Sequence, residues 1–213
     1  MGSVQKVRRI HLLRHAMPDA DAESTPSEWA LTPSGRDAAR ALGSRLPQGV
    51  TVLSSAERKA IESARCATGR EPLIDPRFGE VRRPGEPFDA DARERRGAWV
   101  RGEADARHEG WESMSEAARR FAAGVADQGA GDDLLIATHG MVMVAWLVSI
   151  GQVDAGRAAE EYWASLAFPD LVTLTASPAP PPGSASISRP SSTVSKSGGI
   201  PWTSVTGGAS LER

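Results

Sequence analysis

One stretch constrains the fold more than any other. Leu134-Leu135-Ile136-Ala137-Thr138 is an unbroken apolar run that reaches His139-Gly140, and Met141-Val142-Met143-Val144-Ala145-Trp146 follows at once with no polar face. A short continuous apolar run reads as a strand covered on both sides, as central strands of parallel sheets are. A helix that is apolar all round must itself be buried. Strand, turn and buried helix in immediate succession specify an α/β chain. They also put His139-Gly140 at the carboxyl end of a strand, where open α/β sheets gather their ligands.

A second stretch, Arg8 to Ala16, has the same form. Ile10, Leu12 and Leu13 read as the inner part of a buried strand, and Arg14-His15 falls where it stops and the backbone turns at Ala16-Met17-Pro18. The chain has four histidines, and two of them stand at strand ends. His11 belongs to the strand and reads as structural, whereas His108 lies in a polar segment and reads as exposed.

The remaining elements alternate. Thr32-Pro33 starts a helix carrying Ala38, Ala39, Leu42 and Leu46, with the threonine hydroxyl as cap, and Pro47-Gln48-Gly49 ends it. Val50 to Leu53 is a strand. Glu57 to Thr68 is a helix with Ile61, Ala64 and Ala67 inward and Arg58, Lys59, Glu62 and Arg65 outward or toward its own start. Leu73-Ile74-Asp75 is a short strand, Phe78 to Pro84 a charged loop, and Glu86 to His108 a polar helical excursion of the kind that overhangs an active site. A helix capped by Ser113 runs through Met114, Ala117, Ala118, Phe121 and Val125; another lies around Ala155 to Tyr162, and a last strand near Leu171 to Leu174. This order predicts a three-layer sandwich, a mostly parallel central sheet flanked by helices, in one domain over residues 1–176. From Ser177 the composition shifts to Pro, Ser, Gly and Thr, so 177–213 is expected to be a disordered or loosely draped tail.

At 213 residues and 40% hydrophobic content the chain can bury one core. A net charge of -2 gives no uniform basic field for nucleic acid or an anionic membrane. The apolar run from Met141 to Ile150 is too short to span a bilayer, and the N-terminus lacks the apolar stretch of a signal peptide, which points to the cytoplasm. The single cysteine, Cys66, reads as a structural thiol on a helix. His15 and His139 lack further ligands at local spacing, so no metal and no other cofactor is expected.

The blocks around these histidines resemble those of the histidine phosphatases, the phosphoglycerate mutase-like superfamily. Leu12-Leu13-Arg14-His15-Ala16 is similar to the opening Arg-His-Gly motif, with alanine at the third place. Trp29-x-Leu31-Thr32-x-x-Gly35 is similar to the next block. Ser54-Ser55-Ala56-Glu57-Arg58-Lys59-Ala60-Ile61-Glu62-Ser63-Ala64 resembles the segment supplying a second phosphate-binding arginine. Glu80 falls where the family carries its acid, and Ala137-Thr138-His139-Gly140 resembles the block with the second histidine. Where the family has its arginine this chain has Lys59, with Arg58 one place earlier. The resemblance leaves the role to either, with Lys59 favoured.

The chemistry asks for the same residue types. A transferring phosphoryl group spreads charge over its peripheral oxygens and needs fixed cations in a dry pocket. Arg14, Lys59 or Arg58, and His139 are the candidates. A neutral imidazole attacks phosphorus when one ring nitrogen is held as a donor and the other left bare, and the resemblance assigns that nucleophile to His15, through a phosphohistidine. Glu80 is the expected acid for the leaving alkoxide, with Asp19 and Glu86 behind it, and Arg82 and Arg83 are further cations nearby. The resulting expectation is a metal-independent phosphohydrolase acting on a phosphorylated small molecule or protein side chain. A mutase-type phosphotransferase and a phosphate-binding chain without turnover are the alternatives.

Overall fold

The structure, a computed structural model, describes residues 8–103, 105–129, 131–176 and 202–204. Its twelve helices and strands run β1 (Arg9–Arg14), α1 (Pro33–Leu42), β2 (Thr51–Ser54), α2 (Arg58–Thr68), β3 (Leu73–Ile74), α3 (Ala92–Arg101), α4 (Met114–Ala126), β4 (Leu134–Thr138), α5 (Gly140–Ser149), α6 (Arg157–Ser165), β5 (Asp170–Ala176) and β6 (Trp202–Ser204). The sheet order is β3-β2-β4-β1-β5-β6. β3, β2, β4 and β1 are parallel, β5 is antiparallel to β1, and β6 is antiparallel to β5. The expected mostly parallel, helix-covered sheet is therefore present.

Alternation along the strands builds the three layers. Ile10, Leu12, Leu134 and Ile136 face a core with Phe78, Phe121 and Trp146, beneath α3 to α6. Leu13, Leu135, Ala137 and Val52 face the other way, onto Ala60, Ala64 and Ala67 of α2. α5 is buried from Gly140 to Leu147, as its composition demands. Thr32 caps α1 by accepting from the Gly35 N–H at 3.0 Å, with Pro33 at the first helical position. Ser113 and Glu116 form a reciprocal cap on α4.

Two expectations need correction. The excursion from Glu86 to His108 lies closer to the core than its polarity suggests. α3 packs on α6 and buries Arg95, Ala98, Trp99 and Val100, and the Trp99 indole donates to the Glu112 carbonyl at 2.9 Å. His108 is buried, with Nε2 2.8 Å from the Arg95 carbonyl oxygen. The polar sequence is buried because its charges pair with one another, as Arg95 does with Asp89. Trp202–Ser204 adds a strand beside β5; the rest of 177–213, expected to be a disordered or loosely draped tail, lies outside the described residues. His11 is structural as expected, buried with Nδ1 2.9 Å from the Thr173 hydroxyl.

Candidate active site

Register makes the site. Ser54 lies opposite Ala137, and Arg14 opposite Thr138, so β2, β4 and β1 end level with one another. The ladder continues one step beyond, with the His15 N–H donating to the Thr138 carbonyl and the Ser55 N–H to the Ala137 carbonyl, both at 3.0 Å. His15, Ser55 and His139 thus meet at the carboxyl end of three adjacent parallel strands. Of the three, His15 lines a cleft of about 130 Å³, together with Arg14, Trp29, Glu57, Lys59, Glu80, Arg83, Arg96, Gly140, Trp163 and Phe168, among others, and Ser55 and His139 are buried behind it.

His15 is buried, with Nδ1 2.8 Å from the Ala16 carbonyl oxygen. A carbonyl only accepts, so Nδ1 carries the proton and Nε2 is left bare. Burial, then the charges of His139 and Lys59, push its pKa well below 6.5. The turn that presents it is pinned by α2, because the Ala16 N–H donates to the Ser63 hydroxyl at 2.8 Å. Arg14 donates from Nη1 to the Leu166 carbonyl at 2.5 Å, lies 3.5 Å from the Phe168 ring centre, and leaves Nε without a protein partner. Burial lowers its pKa to about 10, so it keeps its charge.

Lys59 and Arg58 part company. The Lys59 side chain is 7% exposed and directed into the cleft, its ammonium donating to the Pro26 carbonyl at 2.6 Å and to Glu57 Oε2 at 2.5 Å. Arg58 is 58% exposed and bound to Glu62 at 2.8 Å, away from the histidines. At this position the cleft thus presents an ammonium, a point charge, and not a guanidinium fork.

Glu80 and His139 belong to the start of α5. The Glu80 carboxylate accepts from the N–H groups of Val81 at 2.9 Å, Val142 at 3.0 Å and Met141 at 3.3 Å. Burial opposes its charge, but Arg83, His139 and these N–H groups outweigh it and hold its pKa down to about 2. His139, fully buried, has Nε2 2.7 Å from the Ser55 hydroxyl and 3.1 Å from Glu57 Oε1. Burial lowers its pKa, while Glu57 and Glu80 oppose that shift. Of the weaker acid candidates, Asp19 is exposed, and Glu86 is taken up bridging Arg83 and Arg96. Arg83 lines the cleft, whereas Arg82 is 72% exposed beside Glu112.

The sequence singled out neither Arg96 nor, more consequentially, Glu57 for the site. Glu57 reads as an ordinary acid at a helix start, yet it makes no capping bond, and its carboxylate turns into the cleft to meet Lys59, His139 and the Glu80 N–H. The one available signal was its place two residues before the anomalous lysine. Among the described residues no group of three His, Cys, Asp or Glu could hold a metal ion, and no helix is long and apolar enough to cross a membrane.

Residues 10–165 match the family model described as histidine phosphatase superfamily (branch 1). Among solved structures, mycobacterial glucosyl-3-phosphoglycerate phosphatase in complex with inorganic phosphate is 26% identical, with a TM-score of 0.57 over 79% of this chain and 90% of that one. Mycobacterial hydrolase 2 is 24% identical, with a TM-score of 0.61 over 93% and 89%. A mutant of phosphoserine phosphatase from Entamoeba histolytica, in complex with phosphoserine, is 13% identical, with a TM-score of 0.61 over 78% and 90%. No match was found among curated proteins.

Proposed function

The chain belongs to the histidine phosphatase superfamily, and from that premise we propose that it hydrolyses a phosphomonoester through a phosphohistidine on His15. The observation that carries this reading is the tautomer of His15. Nδ1 is committed to the Ala16 carbonyl, and Nε2 is bare at a cleft lined by Arg14 and Lys59. In this reading Nε2 attacks phosphorus, and Arg14, Lys59 and His139 stabilise the charge on the peripheral oxygens. Glu80 locks the first turn of α5 behind His139. Water then cleaves the phosphohistidine. The phosphorylated metabolites named for the structural relatives favour a small-molecule ester over a phosphoprotein.

The test is hydrolysis of para-nitrophenyl phosphate with chelator present throughout, by the wild type and by His15→Ala. Activity should survive the chelator, fall to background in the variant, and pass through an acid-labile phosphoenzyme. Chelator-sensitive turnover would overturn the mechanism. A second reading, phosphate binding without turnover, is favoured by one observation: the Glu57 carboxylate already occupies Lys59 and His139. It would give bound phosphate and no phosphoenzyme.

A further inference from the structure

Glu80 reaches the cleft from a loop, and a loop does not by itself fix a side chain. Its Oε1 accepts the two shorter bonds, from the Val81 N–H at 2.9 Å and the Val142 N–H at 3.0 Å, and Oε2 only the longer one, from the Met141 N–H at 3.3 Å. Oε2 is therefore the oxygen with room for a proton. Where it stands depends on two pieces of backbone, the start of the buried helix α5 and the loop that carries Glu80.

One ion pair holds that loop on both sides of Glu80. Arg120 of α4 donates from Nη1 to the carbonyls of Arg77 at 2.6 Å and Gly79 at 2.8 Å, and from Nη2 to the carbonyl of Glu80 at 3.0 Å. The same guanidinium grips both carboxylate oxygens of Glu112, from Nε at 2.7 Å and Nη2 at 2.9 Å, and the Glu112 side chain is 1% exposed. Glu112 fixes the loop beyond Glu80, accepting from the Arg82 N–H at 3.1 Å and donating its own N–H to the Arg82 carbonyl at 2.9 Å. The Phe78 carbonyl is taken by the Thr138 hydroxyl at 2.7 Å. Every carbonyl from Arg77 to Glu80 thus has a donor from β4 or α4, and Arg120 supplies all but that of Phe78. A planar fork with five donors can serve a carboxylate and three carbonyls together, whereas an ammonium has three donors and no fork.

We propose that Arg120, held by Glu112, is the positioning residue that sets Glu80 where it protonates the leaving oxygen. The assignment rests on the phosphatase reading above, with Glu80 as the acid that the family resemblance gives. Neither Arg120 nor Glu112 lines the cleft, so both act through the loop. Without substrate Glu80 is ionised; a phosphoryl dianion beside it disfavours that form, and the proton it takes up is the one it delivers. His15 Nε2 bonds to phosphorus as the ester P–O bond breaks with its electron pair on the leaving oxygen, and the proton on Glu80 passes to that oxygen, releasing the alcohol. Glu80 then takes a proton from the water whose oxygen bonds to phosphorus, and the N–P bond breaks with its pair returning to Nε2. A shift of about 1 Å in a reacting group is enough to slow such a step by about 100-fold, so the hold on the loop has a kinetic consequence.

The experiment compares two esters of nearly the same shape that differ in their need for a proton. Phenyl phosphate leaves as a basic phenolate, para-nitrophenyl phosphate as a stabilised one. Glu80→Gln sets the scale and should lower kcat on the phenyl ester about 100-fold more than on the nitrophenyl ester. Arg120→Ala should show the same selectivity with a gap of about tenfold, and KM on either ester should stay within about twofold, because the cations that hold the phosphoryl group are untouched. Arg120→Lys keeps a charge against Glu112 but lacks the fork; it should give the same order with a smaller gap, and it carries the test if the alanine variant does not fold. Arg82→Ala, which removes the exposed arginine on the other side of Glu112, should leave the ratio of the two esters at the wild-type value. Equal losses on both esters in a folded Arg120 variant, beside a selective loss in Glu80→Gln, would overturn the positioning role and leave Glu80 as the acid. Equal losses in Glu80→Gln would remove the acid and Arg120's role with it. If the wild type turned over neither ester, the phosphatase reading itself would fall, an outcome distinct from a failure of Arg120 alone.

Discussion

In the proposed mechanism His15 attacks as a neutral ring, and burial together with the neighbouring charges favours that form. Burial acts first, the neighbouring His139 and Lys59 add to it, and the Ala16 carbonyl opposes them without reversing the shift. With the folded pKa well below 6.5, the imidazole is neutral at and below neutrality, so the acid limb of kcat/KM should lie clearly under pH 6.5. A limb at 6.5 would mean that the ring is solvated. The same shift has a stability consequence. Between the folded and unfolded values the unfolded chain binds the extra proton, so the stabilisation is complete above 6.5 and is lost as pH falls below it. His139, also lowered, acts in the same direction, whereas the depressed carboxylates Glu57 and Glu80 lose their contribution only below about 4.5. The thermal midpoint should therefore begin to drop as pH falls through about 6.5, and drop less in His15→Gln. At this scale the sequence was informative where chemistry is rare: Arg14, His15 and His139 stand out among few histidines at strand ends. It was mute on Glu57, because a glutamate opening a helix is commonplace and only the direction of its side chain is not.

The β4–turn–α5 element was legible almost to the residue, because an apolar run of that length has no stable place except the middle of a sheet. α3 was not, since its burial depends on ion pairs such as Arg95–Asp89 that leave no apolar period to read. The way α5 begins carries a prediction of its own. A Cβ added at Gly140 would lie 3.0 Å from Trp163 Nε1 and 3.3 Å from Arg14 Nε, so those side chains must give way. Alanine suits a helix at least as well as glycine, so the fold should not suffer. Gly140→Ala is expected to keep the wild-type thermal midpoint and lose about tenfold to 100-fold in kcat/KM through a displaced Arg14, the scale at which small misplacements act. A variant with full activity would mean that the close approach at Gly140 does not position the arginine.

Across the whole molecule, a net charge of -2 coexists with a cleft lined by four cationic side chains, Arg14, Lys59, Arg83 and Arg96. This local concentration of cations is therefore a product of folding rather than of composition. The residues of the site come from positions 14 to 139 and are adjacent only because β1, β4 and β2 are, with β4 in the middle. The alternation of strands and helices made that sheet legible. The antiparallel set of β5, the added β6 and the placing of Lys59 and not Arg58 in the cleft depend on packing between distant segments, which local pattern does not encode. Because β4 joins both halves, His15 and His139 cannot separate unless β4 leaves β1, and that would open the cores on both faces of the sheet. Regions that open below the global free energy are those with few buried contacts, and the site is not one of them. In a denaturant titration, loss of phosphatase activity should coincide with loss of the near-ultraviolet circular dichroism of the buried tryptophans Trp99 and Trp146. Activity lost at distinctly lower denaturant, with that signal intact, would show that the cleft opens on its own, and the arrangement of Glu57, Lys59 and His139 would then belong to a local equilibrium rather than to the sheet.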